Sequence, residues 1–181
     1  MVAQVAFLRA INVGGQGVLK MDALRAAFEA AGCRNVRTLI ASGNVLFDGD
    51  ATAAQRARIA KTVAAVLGVE PVIMYRTVRG LERLVADAPF GRLATNRTLK
   101  LYVMFAVEKS RRRPRFPLSL PKERLEAIGA RNGDVFIVSR RKPNGWYGFP
   151  TLWIEKELDI VTTARTWGTV TKIVAATRTA Q

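Results

Sequence analysis

Apolar positions in the first 76 residues follow strand-like and helical spacing in turn. Residues 2–9 are apolar and β-branched enough for a buried first strand. A helix that ends at Gly32 is predicted next, with apolar residues three or four positions apart: Met21, Leu24, Phe28 and Ala31. Two strands, residues 36–40 and 45–47, are then predicted around a tight turn at Ser42-Gly43-Asn44.

A second helix and a fourth strand complete the pattern of this first lobe. The helix opens at Thr52, with Gln55 three residues later as in a capping box, and Gly68 closes it. Residues 71–75 predict the fourth strand. The order β-α-β-β-α-β is that of a ferredoxin-like sandwich, so we expect a ferredoxin-like α+β lobe over residues 1–88.

The second half of the chain predicts another small α+β lobe, over residues 97–181. Strands are expected over residues 99–107 and 135–138, and a hairpin turn at Pro143-Asn144-Gly145. Residues 121–128 begin with a proline and predict a helix. Two more helices are predicted to close the chain, over residues 152–158 and, with an amphipathic pattern, 165–176.

The composition excludes several classes of active site. The 181 residues contain no histidine and a single cysteine, Cys33, which excludes histidine triads, histidine metal ligands and a disulfide within the chain. We therefore expect no cofactor and no metal site. No apolar run approaches about 18 residues and no secretory signal opens the chain, so we expect a cytoplasmic protein without a membrane span.

The charge of the chain is large and unevenly distributed. Lysine and arginine number 29 against 14 acidic residues, a formal net charge of +15. Residues 1–75 carry 8 basic and 5 acidic side chains, whereas residues 76–181 carry 21 and 9. A basic half of this kind favours a polyanionic partner such as nucleic acid, although a solvated basic surface has the same composition.

Motifs at both ends of the chain carry a family resemblance. The first is Phe7-Leu8-Arg9-Ala10-Ile11-Asn12-Val13-Gly14-Gly15, followed by Ser42-Gly43-Asn44-Val45. The matching positions near the C-terminus are Ile154-Glu155-Lys156, Leu158, Thr163, Arg165, Trp167, Thr169-Val170 and Lys172. In these motifs the chain resembles a bacterial family known as Domain of Unknown Function 1697, with weak similarity between residues 105 and 150. The resemblance implies two α+β lobes, the first ferredoxin-like, and no known activity.

The chain departs from the pattern of that family at several polar positions. The family tends to have Gln at Ala41 and Asn at both Thr166 and Gly168. These changes remove or shorten polar groups. If those groups contact a ligand in the family, we expect the ligand to be altered in this chain.

Polar groups near the N-terminus are candidates for binding an anion. The glycine loop from Gly14 to Lys20 precedes a helix and offers backbone N–H groups, but it lacks P-loop spacing, and a flexible connection explains the same glycines. Ser42 has no histidine to activate it, and a hairpin turn explains its neighbours. The candidate anion ligands at this end are Arg9, Asn12, Gly14, Gly15, Ser42 and Asn44.

The predicted last helix supplies further candidates. At about 100° per residue, Arg165, Thr169 and Lys172 share one stripe. Trp167 lies on the other side, so the helix is predicted to bury Trp167 and to present two cations and a hydroxyl. An ordinary amphipathic helix has the same pattern. We predict that these three residues meet the N-terminal candidates in one anion site.

Two basic clusters in the second lobe are candidates for binding nucleic acid. The run at residues 111–115 offers guanidinium groups to phosphates, although a solvated connector has the same composition. Residues 140–142 lie near Trp146, Tyr147 and Phe149, and cations mixed with aromatic rings suit single-stranded nucleic acid, although such rings also pack on their own core. The nucleic-acid candidates are Arg111, Arg112, Arg113, Arg115, Arg140, Arg141, Lys142 and Trp146.

Two functions follow from these candidates. The chain is predicted to be a basic binding protein for a polyanion, above all RNA or single-stranded DNA. The alternative is an enzyme or sensor that acts on a small phosphorylated or carboxylated metabolite in a cleft between the lobes. No catalytic residue and no protein partner is identified.

The lack of histidine leads to a testable expectation about metals. We expect the purified protein to contain no stoichiometric zinc, iron or copper, because one thiol cannot complete a site that such metals prefer. Elemental analysis measures the metal content, and a chelator should leave the melting temperature unchanged. Stoichiometric transition metal would contradict this prediction.

Overall fold

The computed structural model describes residues 2–11, 19–40 and 42–178. In that part of the chain the fold is α+β, with two antiparallel sheets and five α-helices, which confirms the predicted fold class. The chain divides into two compact units, Met1–Glu82 and Arg83–Gln181. The division lies inside the third helix, α3 (Val78–Ala86).

The first unit contains a four-stranded sheet and two helices. Its elements are β1 (Val2–Leu8), α1 (Met21–Ala30), β2 (Arg34–Thr38), β3 (Asn44–Gly49), α2 (Ala53–Leu67) and β4 (Ile73–Thr77). The order across the sheet is β2-β3-β1-β4, and every neighbouring pair is antiparallel. The element order is the predicted β-α-β-β-α-β and is consistent with a ferredoxin-like sandwich.

The core of the first unit follows from the alternation of side chains along its strands. Ala6 and Leu8 of β1 share a face with Phe47 of β3, because side chains two positions apart point the same way and opposed residues match. The Phe47 ring lies 5.4 Å from that of Phe28 in α1. The buried helix residues on this face include Leu24, Phe28, Ile59 and Val63. Each fully buried side chain of this size contributes about 1.5–3 kcal/mol.

The predicted ends of α2 are confirmed. Thr52 Oγ1 accepts a hydrogen bond from the Gln55 backbone N–H at 3.2 Å. Gln55 Oε1 in turn accepts from the Ala51 N–H at 3.0 Å, so each end of the capping pair satisfies a backbone donor. Gly68 ends the helix with a φ of 72°, the left-handed conformation in which glycine carries no Cβ penalty.

The second unit contains a five-stranded sheet. After α3 and a 3₁₀ helix (Gly91–Thr95) come β5 (Leu99–Ala106), β6 (Leu118–Leu120), a second 3₁₀ helix (Pro121–Glu123), β7 (Leu125–Arg131), β8 (Asp134–Arg140), α4 (Thr151–Leu158), β9 (Thr162–Thr166) and α5 (Trp167–Arg178). The order across the sheet is β6-β7-β8-β5-β9. All neighbouring pairs are antiparallel.

Helix α4 covers one face of this second sheet. Ile154 and Leu158 of α4 are buried against side chains of the three central strands, including Tyr102, Met104, Leu125 and Ile137. On the opposite face the ring of Phe136 lies 5.9 Å from that of Phe90. Phe90 also contacts Trp167, at 5.2 Å between ring centroids, and this contact ties the start of α5 to the unit.

The helix predicted over residues 121–128 is wrong. Only Pro121–Glu123 is helical, as one 3₁₀ turn, and Arg124 then adopts a left-handed φ of 53°. Leu125–Arg131 is strand β7, which pairs with β6 on one side and β8 on the other. The residues favour a helix locally, but helix propensity amounts to less than about 1 kcal/mol per residue, and sheet pairing on two sides outweighs it.

The start of the last helix was also predicted too early. Helix α5 begins at Trp167, and Arg165 belongs to strand β9. Thr162, Thr163 and Thr166 are β-branched, which favours a strand. Thr166 Oγ1 accepts the Thr169 backbone N–H at 3.2 Å and thereby caps the helix.

The turn before β3 depends on Gly43, which leads to a prediction. Gly43 has a φ of 72°, and a Cβ there would lie 3.0 Å from Ile11 Cγ1 and 3.1 Å from Leu8 Cβ. We expect Gly43→Ala to lower the free energy of unfolding by roughly 2–4 kcal/mol, because left-handed strain adds to overpacking. Urea denaturation measures the loss.

The matched control is Gly68→Ala in the same unit. Gly68 has the same φ of 72°, but no described atom lies within 4 Å of its added Cβ. The control should therefore lose only the conformational term, about 1 kcal/mol. Equal losses in the two variants would contradict the role assigned to close packing at Gly43.

Candidate nucleic-acid interface

Part of the predicted anion site lies where the structure gives no description. Asn12, Gly14 and Gly15 are outside the described residues. Arg9, just after β1, donates its backbone N–H to the Val72 carbonyl at 2.9 Å. An anion-binding role for these four residues stays a prediction.

The Ser42-Gly43-Asn44 turn is held together by Asn44. Asn44 is fully buried, and its Nδ2 donates to the Leu39 carbonyl at 2.8 Å and to Ser42 Oγ at 3.0 Å. A side-chain amide has two N–H donors, so both are used inside the turn. Asn44 therefore stabilises the turn from a buried position, whereas its partner Ser42 is half-exposed.

Arg165 occupies a different position from the one predicted. It lies opposite Val103 in the β5–β9 pairing and is 7% exposed. Its Nη1 donates to Thr163 Oγ1 at 2.8 Å and to the Ala164 carbonyl at 2.9 Å. Burial lowers the pKa of Arg165 to about 10, so the guanidinium remains a cation at neutral pH.

The predicted stripe of Arg165, Thr169 and Lys172 is wrong, because Arg165 is in a strand and the other two are in α5. Thr169 is engaged in the helix start, with its Oγ1 2.9 Å from Thr166 Oγ1. Lys172 is exposed. A single anion site that unites these residues with the N-terminal candidates stays a prediction.

The basic run over residues 111–115 is attached to the end of α4. Arg112 Nη1 donates to the carbonyls of Lys156 and Glu157, at 3.3 and 2.8 Å. Ser110 Oγ donates to the Leu158 carbonyl at 2.5 Å. Arg112 thus satisfies carbonyls at the negative end of the helix dipole, which gives it a structural role. All four arginines of the run are exposed, and Arg112 is the one among them that the helix end holds.

The second basic cluster is partly neutralised. Arg140 pairs with Glu126 and Lys142 pairs with Glu123, each at 2.7 Å. Arg141 is exposed, and its Nε donates to the Gly145 carbonyl at 3.0 Å. Of these three cations, Arg141 alone has no carboxylate partner among the residues that the structure describes.

Trp146 lies on a loop that is firmly attached to the sheet. Its backbone carbonyl accepts the Lys142 N–H at 2.7 Å, and its N–H donates to Asn144 Oδ1 at 3.1 Å. At the other end of the loop, Ser139 Oγ donates to the Gly148 carbonyl at 3.0 Å. The Trp146 side chain nevertheless remains 75% exposed.

Two cations near this loop, Lys100 and Arg124, were missed by the sequence analysis. Lys100 Nζ lies 4.7 Å from the centroid of the Tyr147 ring, and Tyr147 Oη donates to the Thr98 carbonyl at 2.9 Å. Phe149 is 65% exposed. One signal was present, because Lys100 is the only charged residue in the apolar strand Leu99–Ala106. Arg124, whose Nη1 donates to the Arg141 carbonyl at 2.7 Å, had no signal beyond its charge.

The described residues provide no metal site, no ionised thiol and no helix that could span a membrane. No group of three His, Cys, Asp or Glu side chains is placed to hold a metal ion within the described ranges. Burial raises the pKa of the Cys33 thiol to about 11, which keeps it protonated at neutral pH. No helix in the described part of the chain is long and apolar enough to span a bilayer.

Comparisons with known proteins identify a family and a fold. The family model described as "Protein of unknown function (DUF1697)" matches residues 1–136. No curated protein matches the sequence significantly. Among solved structures, the chain is similar to the conserved bacterial protein SP0830 from Streptococcus pneumoniae, with 17% identity and a TM-score of 0.64. The match covers 97% of this chain and 98% of that chain, and at this identity it shows the fold alone.

The buried guanidinium of Arg165 leads to a prediction about stability. We expect Thr163→Val to lower the free energy of unfolding by about 1.5–3 kcal/mol, because a charged donor loses an acceptor while the shape is kept. The control is Thr171→Val, whose exposed Oγ1 donates to the Gly168 carbonyl within α5. It should change stability by about 0.5 kcal/mol or less. Urea denaturation that finds equal effects would contradict the prediction.

Proposed function

The chain belongs to the DUF1697 family of proteins of unknown function, and we propose that its second unit binds single-stranded nucleic acid. The binding surface is formed by Lys100, Arg124, Arg141, Trp146, Tyr147 and Phe149, called here the Trp146 surface. A cytoplasmic location, where a lone thiol stays reduced and RNA is present, belongs to the same proposal.

The exposure of Trp146 is the observation that carries the proposal. A large apolar ring that is three-quarters exposed gains little from folding, so it needs another explanation. The loop below it is fixed by backbone hydrogen bonds to Lys142 and by the hydrogen bond from Ser139 Oγ to the Gly148 carbonyl. A ring on a fixed loop loses little entropy when a base stacks on it, which favours binding.

The charges around the ring support the same ligand. Lys100, Arg124 and Arg141 are exposed, and none of them pairs with a carboxylate in the part of the chain that the structure describes. Such cations attract a phosphate backbone while the rings accept bases. Arg140 and Lys142 carry the same charge but already have carboxylate partners, so they contribute less.

The proposed recognition is tolerant of sequence. Every base has a π-face, and stacking on an aromatic ring contributes about 1–3 kcal/mol per base. The cations contact phosphates, which carry no sequence information. We therefore expect similar affinities for different single strands and weaker binding as salt rises.

A paired substitution tests this function. Trp146→Ala should weaken binding of a labelled single-stranded oligonucleotide by about 1–3 kcal/mol, measured by fluorescence anisotropy. The control is Leu152→Ala, which removes a non-aromatic side chain that is 79% exposed, compared with 75% for Trp146. It should leave affinity unchanged. Arg141→Gln should also reduce the slope of log affinity against log salt by about one.

Two outcomes would contradict the proposal. One is the lack of any oligonucleotide binding at about 50 mM salt, where electrostatic attraction is strong. The other is equal weakening by Trp146→Ala and Leu152→Ala, which would show that base stacking on the ring contributes nothing.

A further inference from the structure

A cavity of about 270 Å³ lies in the second unit, beside the segment that follows β5. Its walls come from the connector over residues 109–116, from the turn between β7 and β8, and from the end of α4. None of the residues of the Trp146 surface lines it. The cavity is therefore independent of the nucleic-acid proposal.

The walls of this cavity are held in place by hydrogen bonds and close packing. Ser110 and Arg112 attach the connector to the last carbonyls of α4. In the turn between β7 and β8, Asn132 and Gly133 have φ values of 53° and 94°, as in a tight two-residue hairpin turn. Lys109 approaches Gly133 so closely that a Cβ there would lie 3.2 Å from Lys109 Cγ. The cavity is thus formed before any ligand arrives.

The floor of the cavity is apolar and its rim is cationic. Val135, Leu158 and Ile160 are buried, and Phe116 is half-buried beside them. The described cations on the lining without a carboxylate partner or a carbonyl contact are Lys109 and Arg113. Arg131 also lines the cavity, but it pairs with Asp87, and Arg112 is held by α4.

The size of the cavity limits what it can hold. A cavity of about 150 Å³ between apolar side chains accepts benzene. A volume of about 270 Å³ therefore accepts a single six-membered ring and one small substituent. An arginine at the rim binds a carboxylate or a phosphate through the same two-pronged contact.

We propose that this cavity binds a small organic anion, a single apolar ring that carries a phosphate or a carboxylate group. The ring lies against Phe116, Val135 and Leu158, and the anionic group meets Arg113 and Lys109. A ligand of about ten heavy atoms in such a site is expected to bind with a dissociation constant near the millimolar range.

A titration of the isotope-labelled full chain, followed by NMR, tests the ligand class. The probes are phenyl phosphate, benzoate, benzyl alcohol and inorganic phosphate at constant ionic strength. We expect phenyl phosphate or benzoate to shift the amide signals of Gly133, Val135 and Leu158, and the tighter of the two identifies the anionic group. Benzyl alcohol and inorganic phosphate should each bind at least about fivefold more weakly, because benzyl alcohol lacks the anionic group and inorganic phosphate lacks the apolar ring.

Matched variants test the site itself. Arg113→Gln should weaken binding of the tighter anion about five- to tenfold, given that the residue is exposed. Arg111→Gln removes a neighbouring exposed charge that does not line the cavity, and it should change the affinity less than about twofold. Ala130→Leu should abolish binding without a change of charge. Ala130 lies opposite Val135 on the same face of the sheet, so the larger leucine side chain would fill the cavity.

Three results would overturn the proposal. The first is that inorganic phosphate binds as tightly as phenyl phosphate. The second is that Arg111→Gln weakens binding as much as Arg113→Gln. The third is that no probe shifts the amide signals of Gly133, Val135 and Leu158. Trp146→Ala should leave the titration unchanged. Loss of oligonucleotide binding in that variant therefore bears only on the nucleic-acid proposal.

Discussion

Strand β5 is the constraint on which the second unit depends. Within the described sheet it pairs with β8 through Leu99–Met104 and with β9 through Tyr102–Ala106, so its backbone is bonded on both sides. Every residue from Leu101 to Ala106 is buried. A strand buried on both faces has one register that satisfies its backbone groups and its apolar side chains together. The segments attached to its two ends are therefore set in position by the sheet.

Each proposed binding feature is attached to one end of β5. The carbonyl of Thr98, just before the strand, accepts a hydrogen bond from the Tyr147 hydroxyl and so holds the loop that carries Trp146. After the strand, the connector at Ser110 and Arg112 caps α4 and forms a wall of the cavity. Strand β9 lies along β5 and places Arg165 opposite Val103. The fold thus presents rigid loops from a buried central strand, an arrangement that lowers the entropic cost of binding.

The net charge of the chain overstates its capacity to bind anions. Arg112 caps a helix, Arg140 and Lys142 pair with glutamates, and Arg165 is buried with hydrogen bonds to Thr163 and Ala164. All four were predicted as anion or nucleic-acid ligands from their charge and position. Pairing with a carboxylate, burial, or attachment to a helix end weakens the attraction of such a cation for a further anion. Exposed cations without a carboxylate partner among the described residues, such as Lys100, Arg113 and Arg141, define the surfaces where binding is favourable.

The accuracy of the sequence-based predictions differs between the two units for a physical reason. In the first unit, apolar spacing and helix caps agree with the tertiary structure, as the pair of Thr52 and Gln55 illustrates. In the second unit, the helix-favouring residues after Pro121 form β7, which pairs with β6 and β8. A local signal for this strand was present and was missed, because Asn132-Gly133 is a two-residue hairpin turn between β7 and β8. Arg165 was misplaced by a helix start only two residues too early, and a period of 3.6 turned that small error into a false stripe. The cavity had no signal at all, since its walls are far apart in sequence.

The motifs that resemble the family have a structural explanation at several polar positions. Asn44 uses both amide protons inside its turn. Glu155 Oε1 accepts the Thr162 N–H at 2.7 Å and joins α4 to β9. Thr166, where the family tends to have asparagine, caps α5, and asparagine is an equally good capping residue. Hydrogen bonds that hold the fold therefore explain these polar motif residues without a shared ligand. The Trp146 surface and the cavity lie mainly between residues 98 and 160, a range that includes the segment of weak resemblance, so the binding functions proposed for this chain need not extend to the family as a whole.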